Sequence, residues 1–433
     1  MKLTRTALTA LAPAVIVLLS LALPRTLHAE TDVRLKITSE GYTKIRLAFE
    51  DSKVDSKIRK QYTDFLGIVR EDLDMSGYFE ILEARDLATA NVTVQASLQR
   101  DKGDLSIEVK LSDKLAGTDI FKRKYRSGTG NVEVAGHLAA EEIIFALTGR
   151  HGIANTRIAF VAGEKGNSRL YMAYLDGSPP IELTHAGGIV MSPSFSPNGE
   201  RLAYVSFAAG APAIYVMDLS TLKTTRFASF PGLNGMPAWS PDGRSLAVAL
   251  SKDGNPEIYV LALDGSMQKR VTTYSGIDCS PSWAPNGLEI AFTSDRAGTP
   301  QIFVTDLEGL SVRQVTFEGN YNTSPAWSPD GALIAYVSRI DGKFQICTVD
   351  PFGVTSRVLT SSGNNEDPYW SADGMHLVFS STGDGNSGIY MISKDGGAKR
   401  RLIDGFTRPR NPAWSPPRGY VKPLAEGRTQ GGD

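Results

Sequence analysis

Cysteine is nearly absent: Cys279 and Cys347 are the only two in 433 residues. At most one disulfide can form, so no multi-bridge framework holds the fold. Histidine is equally sparse, and His28, His137, His151, His185 and His376 lack the i, i+4 or Cys-paired spacing of a zinc site. They are expected as ordinary surface or helix residues, and no metal or other cofactor is expected. Lys and Arg number 46 against 47 Asp and Glu, with no polybasic run, which argues against a nucleic-acid partner. No Walker-type phosphate loop occurs. A hydrolase of the prolyl-peptidase type would need a Gly-x-Ser-x-Gly elbow, and Asn386-Ser-Gly does not supply one.

Long apolar runs are missing as well. The stretch Ala12–Leu23 is broken by Pro13 and ended by Pro24, short of the roughly 20 residues a membrane span needs. Lys2 and Arg5 precede it, and Leu27-His-Ala stands before Glu30. Residues 1–29 therefore read as a secretory signal cut near Ala29, with an exported mature chain and no direct membrane span.

What the chain has in abundance is repetition. Pro193-Ser-Phe-Ser-Pro-Asn-Gly returns as Pro237-Ala-Trp-Ser-Pro-Asp-Gly, Pro281-Ser-Trp-Ala-Pro-Asn-Gly, Pro325-Ala-Trp-Ser-Pro-Asp-Gly, Pro368-Tyr-Trp-Ser-Ala-Asp-Gly and Pro412-Ala-Trp-Ser-Pro-Pro-Arg. The spacings are 44, 44, 44, 43 and 44 residues. A period near 44 carrying β-type residues signals propeller blades.

In each repeat the Asn-Gly or Asp-Gly pair reads as a tight hairpin turn with positive φ at both central positions. Alternating runs follow, such as Arg201-Leu-Ala-Tyr-Val-Ser and Ala213-Ile-Tyr-Val-Met-Asp, and read as strands. A short last strand, for example Arg313-Gln-Val-Thr, makes four per repeat. All five tryptophans fall at one repeat position, with Phe195 in the remaining copy, which predicts packing between neighbouring blades. On that reading Trp327→Ala costs about 3–5 kcal/mol. Asp176, Asp218, Asp264, Asp306 and Asp350, mostly followed by Gly, read as hairpin-turn residues. Cys347 takes a place held elsewhere by an aromatic and reads as a buried strand thiol, whereas Cys279 is placed in a loop.

The last copy stops at Pro416-Pro-Arg, and its missing strands are found upstream in Arg157-Ile-Ala-Phe-Val and Ser168-Arg-Leu-Tyr-Met. A blade built from both ends closes the ring, with Pro412–Ser415 as the closing strand. The expected architecture is multidomain: a small N-terminal α/β domain over 30–150, a six-bladed all-β propeller over 157–418, and a disordered tail over 419–433. Within the first domain, strands are expected at Val33–Thr38, Lys44–Phe49, Phe79–Leu82, Asn91–Leu98 and Leu105–Leu111. Helices are expected from Ile58 to near Gly77 and over Val132–Leu147, stopped by Gly149.

One set of segments varies while the scaffold repeats: Ile189–Ser192, Leu233–Met236, Ile277–Ser280, Tyr321–Ser324, Asn364–Asp367 and Arg408–Asn411. Read as loops, they surround one mouth of the central channel, where a propeller specifies a partner. A competing reading is a propeller enzyme or cation-binding propeller using the channel carboxylates Asp278, Glu366 and Asp367.

The repeat, the export signal and the passage from Leu147-Thr-Gly to Arg157-Ile-Ala-Phe-Val together resemble the TolB family, periplasmic components of the Tol–Pal envelope system, over essentially the whole mature chain. That resemblance implies a non-enzymatic adaptor that binds the lipoprotein Pal through the propeller mouth and TolA through its N-terminal region. It implies support of outer-membrane integrity and constriction during division, with further envelope partners conceivable. Carried onto this chain, the Pal surface falls on Asn234, Met236, Asp278, Ser280, Asn322, Ser324, Asn365, Asp367 and Arg410. The TolA segment falls on Glu30, Thr31, Asp32, Val33, Arg34 and Leu35.

Overall fold

The computed structural model describes residues 36–38 and 41–417, apart from 102, 128–131, 176–177, 186 and 384–386, with side chains from residue 43 onward. The leader, Glu30–Leu35, Asp176 and the tail lie outside the described residues. Among those described, no helix is long and apolar enough to cross a membrane.

Six four-stranded antiparallel sheets follow one another around a channel. Their innermost strands are Val190–Phe195 (blade one), Asn234–Trp239 (two), Asp278–Trp283 (three), Asn322–Trp327 (four), Asn364–Trp370 (five) and Arg410–Trp414 (six). Blade six takes its other strands, Arg157–Glu164, Asn167–Tyr174 and Ile181–Glu182, from the far end of the repeat region. Ala413 pairs with Ala159 and Trp414 with Ile158, which is the closure expected from the sequence.

The Trp-Ser-Pro-Asp-Gly signature has a clear physical basis. The hydroxyls of Ser196, Ser240, Ser328 and Ser371 donate to the Asn or Asp two residues on, at 2.5–2.7 Å. Each accepts the N–H of the residue five positions on, at or just before the start of the next strand, at 2.9–3.0 Å. Only the glycine takes positive φ (Gly199 70°, Gly243 68°, Gly287 72°, Gly331 77°, Gly374 70°). The expectation of positive φ at both central positions is corrected accordingly. The Asn or Asp instead stays on the ordinary side and accepts an N–H two residues ahead, as Asp242 does from Arg244 at 3.0 Å. Asp218, Asp264, Asp306 and Asp350 likewise accept backbone N–H groups within their own turns. With its Ser220 and Thr221 donors, Asp218 is drawn down to about 2.

The ring position joins blades through hydrogen bonds as well as area. The indole N–H groups of Trp239, Trp283 and Trp370 donate to Ser194, Ala238 and Ala326 carbonyls of the preceding blade at 3.0, 3.1 and 2.9 Å. Trp414 donates to Thr156 Oγ1 at 2.7 Å. All five tryptophans line the channel, but Trp283 and Trp327 are only partly buried, and Trp327 donates within its own turn, to the Gly331 carbonyl at 3.3 Å. Both cysteines are free thiols, and Cys279 belongs to a strand rather than a loop. Burial pushes the Cys347 thiol up to about 12.

The N-terminal unit is a five-stranded sheet in the order Phe79–Leu82, Ile45–Glu50, Val92–Asp101, Asp104–Asp113, Thr118–Ser127. Helices Arg59–Met75 and Glu133–Thr148 pack against it, the second stopped by Gly149 at φ 69°. The Thr118–Ser127 strand has no counterpart in the sequence reading. Its Lys and Arg residues mask the period of two because it is an edge strand, exposed along most of its length. This unit sits against blades five and six. Met375 of blade five joins its core, Met75 packs among Ile158 and Phe160, and Arg150 Nη1 donates to the Asp373 carbonyl at 3.2 Å. That seat buries His376, a strand residue rather than the surface or helix residue expected.

Burial therefore moves the expected tryptophan penalty. Trp370→Ala should cost about 3–5 kcal/mol, and Trp327→Ala distinctly less. Urea melts of both variants check the ranking, and equal losses would contradict it.

Candidate functional site

The inner strands present one backbone device six times. Ser192, Met236, Ser280, Ser324, Asp367 and Asn411 all have positive φ, between 47° and 57°. Each stands immediately before the motif proline, and in each blade the strand register shifts across that pair. These are β-bulges, which bend a strand and re-aim a side chain. Proline fits there because a bulge on an edge strand needs no ladder donor. A non-glycine residue held in this region costs on the order of 1–3 kcal/mol, so six together are kept by the surrounding structure.

Neighbouring blades supply part of that hold. Ser280 N–H donates to Met236 Sδ at 3.2 Å, Ser324 N–H to Thr293 Oγ1 at 3.1 Å, and Asn411 N–H to Asp367 Oδ2 at 3.1 Å. The six residues line a channel of about 480 Å3, together with the motif prolines and tryptophans. Its wall is largely apolar. Asp367 is the one acid on it among the described residues, and burial pushes that carboxyl above its ordinary range against the pull of the Asn411 and Ser380 donors.

The sequence-derived partner residues divide into two sets. Met236, Ser280, Ser324 and Asp367 lie on the channel wall, and Arg410 is half-buried in the blade-six inner strand, its Nη1 donating to the Arg408 carbonyl at 3.2 Å. Asn234, Asp278, Asn322 and Asn365 are 0 % exposed, and all four belong to strands, not loops. Asn234 Nδ2 donates to the Phe230 carbonyl at 2.6 Å, Asn322 to Gln301 Oε1 at 2.7 Å, and Asn365 to Gln345 Oε1 at 3.0 Å. Asp278 Oδ2 accepts from Arg296 at 2.7 Å. These four side chains hold the blades and present no surface to a partner. Ser192 and Asn411 complete the ring; the sequence placed their segments at the mouth, but they were not among the residues carried onto the Pal surface, although each precedes its motif Pro at the repeat spacing.

The carboxylates of the cation or enzyme reading do not converge. Asp278 is sealed in blade three, Glu366 is exposed and Asp367 faces the channel from blade five. Among the described residues no cluster of three or more His, Cys, Asp or Glu could hold a metal ion.

Ring, closure and channel define a six-bladed β-propeller with an N-terminal α/β unit. Residues 145–418 match the family described as the TolB beta propeller domain, and the chain belongs to that family. A solved structure of TolB from Acinetobacter baumannii superposes with TM-score 0.75 at 29% identity, over 89% of this chain and 99% of that one. The Tol-Pal system protein TolB of Dechloromonas aromatica is 34% identical over 202 residues, 43% of this chain and 47% of that protein. The Protein TolB homolog of Chlorobaculum tepidum is 31% identical over 197 residues, 41% and 45%. The aligned stretch thus spans about half the length of these curated relatives.

Glycine at a bulge position removes the Cβ penalty. Ser324→Gly should keep or raise the urea midpoint, whereas Ser324→Val should lower stability by about 1–3 kcal/mol. A tolerated valine would show that the backbone there is not constrained.

Proposed function

We propose that this chain is an adaptor of a Tol–Pal system, exported to the periplasm, with no catalytic step of its own. It receives Pal at the propeller channel and TolA at Glu30–Leu35, and so supports outer-membrane integrity and constriction during division. The observation that carries this reading is the ring of six re-aimed, non-glycine side chains around an open, mostly apolar channel. The family membership and the printed Tol-Pal names of relatives point the same way. Met236, Asp367 and Asn411 stand among three serines on a backbone that repeats, which gives the ring the asymmetry that recognition of a protein surface uses. Half-exposed Trp283 and Trp327 offer anchoring area of the kind that dominates interface energetics.

The test is calorimetry with the soluble periplasmic part of Pal. The intact mature chain should bind saturably, and Ser324→Arg or Met236→Arg should weaken binding at least tenfold with little change in melting temperature. Asn322→Ala should act by lowering stability, since that side chain is inside the blade. No binding by the intact chain, or full binding by both arginine variants, overturns the proposal.

A further inference from the structure

The residue between the motif proline and the ring position also repeats, and one copy departs from the rest. Ser194, Ala238, Ser282, Ala326 and Ala413 are small, whereas blade five carries Tyr369. Five of these six line the channel, and Ala413 does not.

Tyr369 is the reason. Its side chain packs against the buried cluster of blades five and six, which holds Trp414 and Ile158, and against that of blades six and one, which holds Ala413 and Phe195. Its hydroxyl is hydrogen-bonded to the side chain of Ser194 in blade one. The ring therefore lies along the wall from blade five, past blade six, to blade one. Ala413 and Ser194 are 0 % and 6 % exposed, while Ala238, Ser282 and Ala326 are only half-buried. The neighbouring ring position divides in the same way, with Trp370, Trp414 and Phe195 buried and Trp283 and Trp327 half-exposed. Tyr369 fills the channel along blades five, six and one and leaves it open along blades two, three and four.

The two sides differ in polarity as well. On the filled side Asp367 Oδ2 is already engaged, accepting the Ser380 hydroxyl at 3.0 Å and the Asn411 N–H at 3.1 Å. The open side presents Met236, Ser280, Ser324 and the half-exposed indoles, with no ionisable side chain among the described residues. Its Ser282 Oγ is occupied by the Trp327 N–H at 2.9 Å. A charged group entering there would lose its water without gaining a partner, whereas an apolar group gains by leaving water.

We propose that Tyr369 sets the specificity of the channel. It restricts entry to the half bounded by blades two, three and four, where an extended segment of the partner inserts an apolar side chain between the Tyr369 ring and the indoles of Trp283 and Trp327. The small residues at 238, 282 and 326 provide the room, and Tyr369 forms the facing wall. This contact rests on the adaptor reading above and assigns it to one side of the ring.

Two readouts test it, the first without a partner. Acrylamide should quench part of the tryptophan emission of the mature chain, and Trp283→Phe/Trp327→Phe should lose that part. Tyr369→Ala, the kind of residue the other blades carry, should make a further part quenchable by uncovering the filled side. The second readout is calorimetry with the soluble periplasmic part of Pal. Ala326→Leu and Ala238→Leu fill the open half and should weaken binding at least tenfold with parental melting, and Tyr369→Ala should weaken it at least fivefold. Should Tyr369→Ala not fold, the two leucine variants still decide. Parental binding by both leucine variants, or unchanged quenching in a folded Tyr369→Ala, overturns the proposal. Absence of Pal binding by the intact chain overturns the adaptor reading and this contact with it, and the quenching then still shows which half of the channel is open.

Discussion

Everything in the propeller depends on one strand pairing between distant parts of the chain. Arg410–Trp414 lies against Arg157–Glu164, and Arg157 N–H reaches Ser415 Oγ and Trp414 Nε1 reaches Thr156 Oγ1 across 258 residues of sequence. Without it blade six has no inner strand and blade one loses its neighbour on that side, so sheet faces lined by Phe160, Val161, Leu170 and Leu202 would face water. Closing so long a loop costs little more entropy than closing a moderately long one. The burial recovered at two blade interfaces outweighs it. Arg157 adds a local lock, its guanidinium 5.5 Å from the Phe195 ring and bonded to the Gly199 carbonyl at 2.5 Å.

Closure brings six inner strands to a common axis, and the bulge then decides what the axis looks like. A straight strand with a period of two would send positions 234 and 236 to the same side. The left-handed backbone at Met236 separates them, leaving Asn234 in the blade and Met236 on the channel. The same division holds for Asp278 and Ser280 and for Asn322 and Ser324. Scaffold polarity and channel-facing chemistry can therefore vary independently, two residues apart.

The N-terminal unit uses the propeller as a platform on one sector. Met375, Asp373 and His376 belong to the same turn that elsewhere meets solvent, yet here they are covered. Burial without a charge partner at Nδ1 holds His376 below its ordinary range. An ordinary hairpin residue has become a domain contact through position alone.

Much of this was legible in the chain before any coordinates. The 44-residue period, the tryptophan column, the split blade and the two helices of the N-terminal unit follow from spacing and side-chain type, because blades repeat a local hydrogen-bonding pattern that adjacent residues encode. The Ser-x-Asp-Gly turn is local chemistry of the same kind. That Asn234 lies inside the blade while Met236 lines the channel was decided only in three dimensions, since bulges of this ring are held by groups of neighbouring blades such as Met236 Sδ, Thr293 Oγ1 and Asp367 Oδ2. The burial of His376 likewise exists only once blades and domains stand side by side. Sequence spacing carries the period of a structure, whereas burial and charge environment are properties of neighbours that the chain brings together from afar.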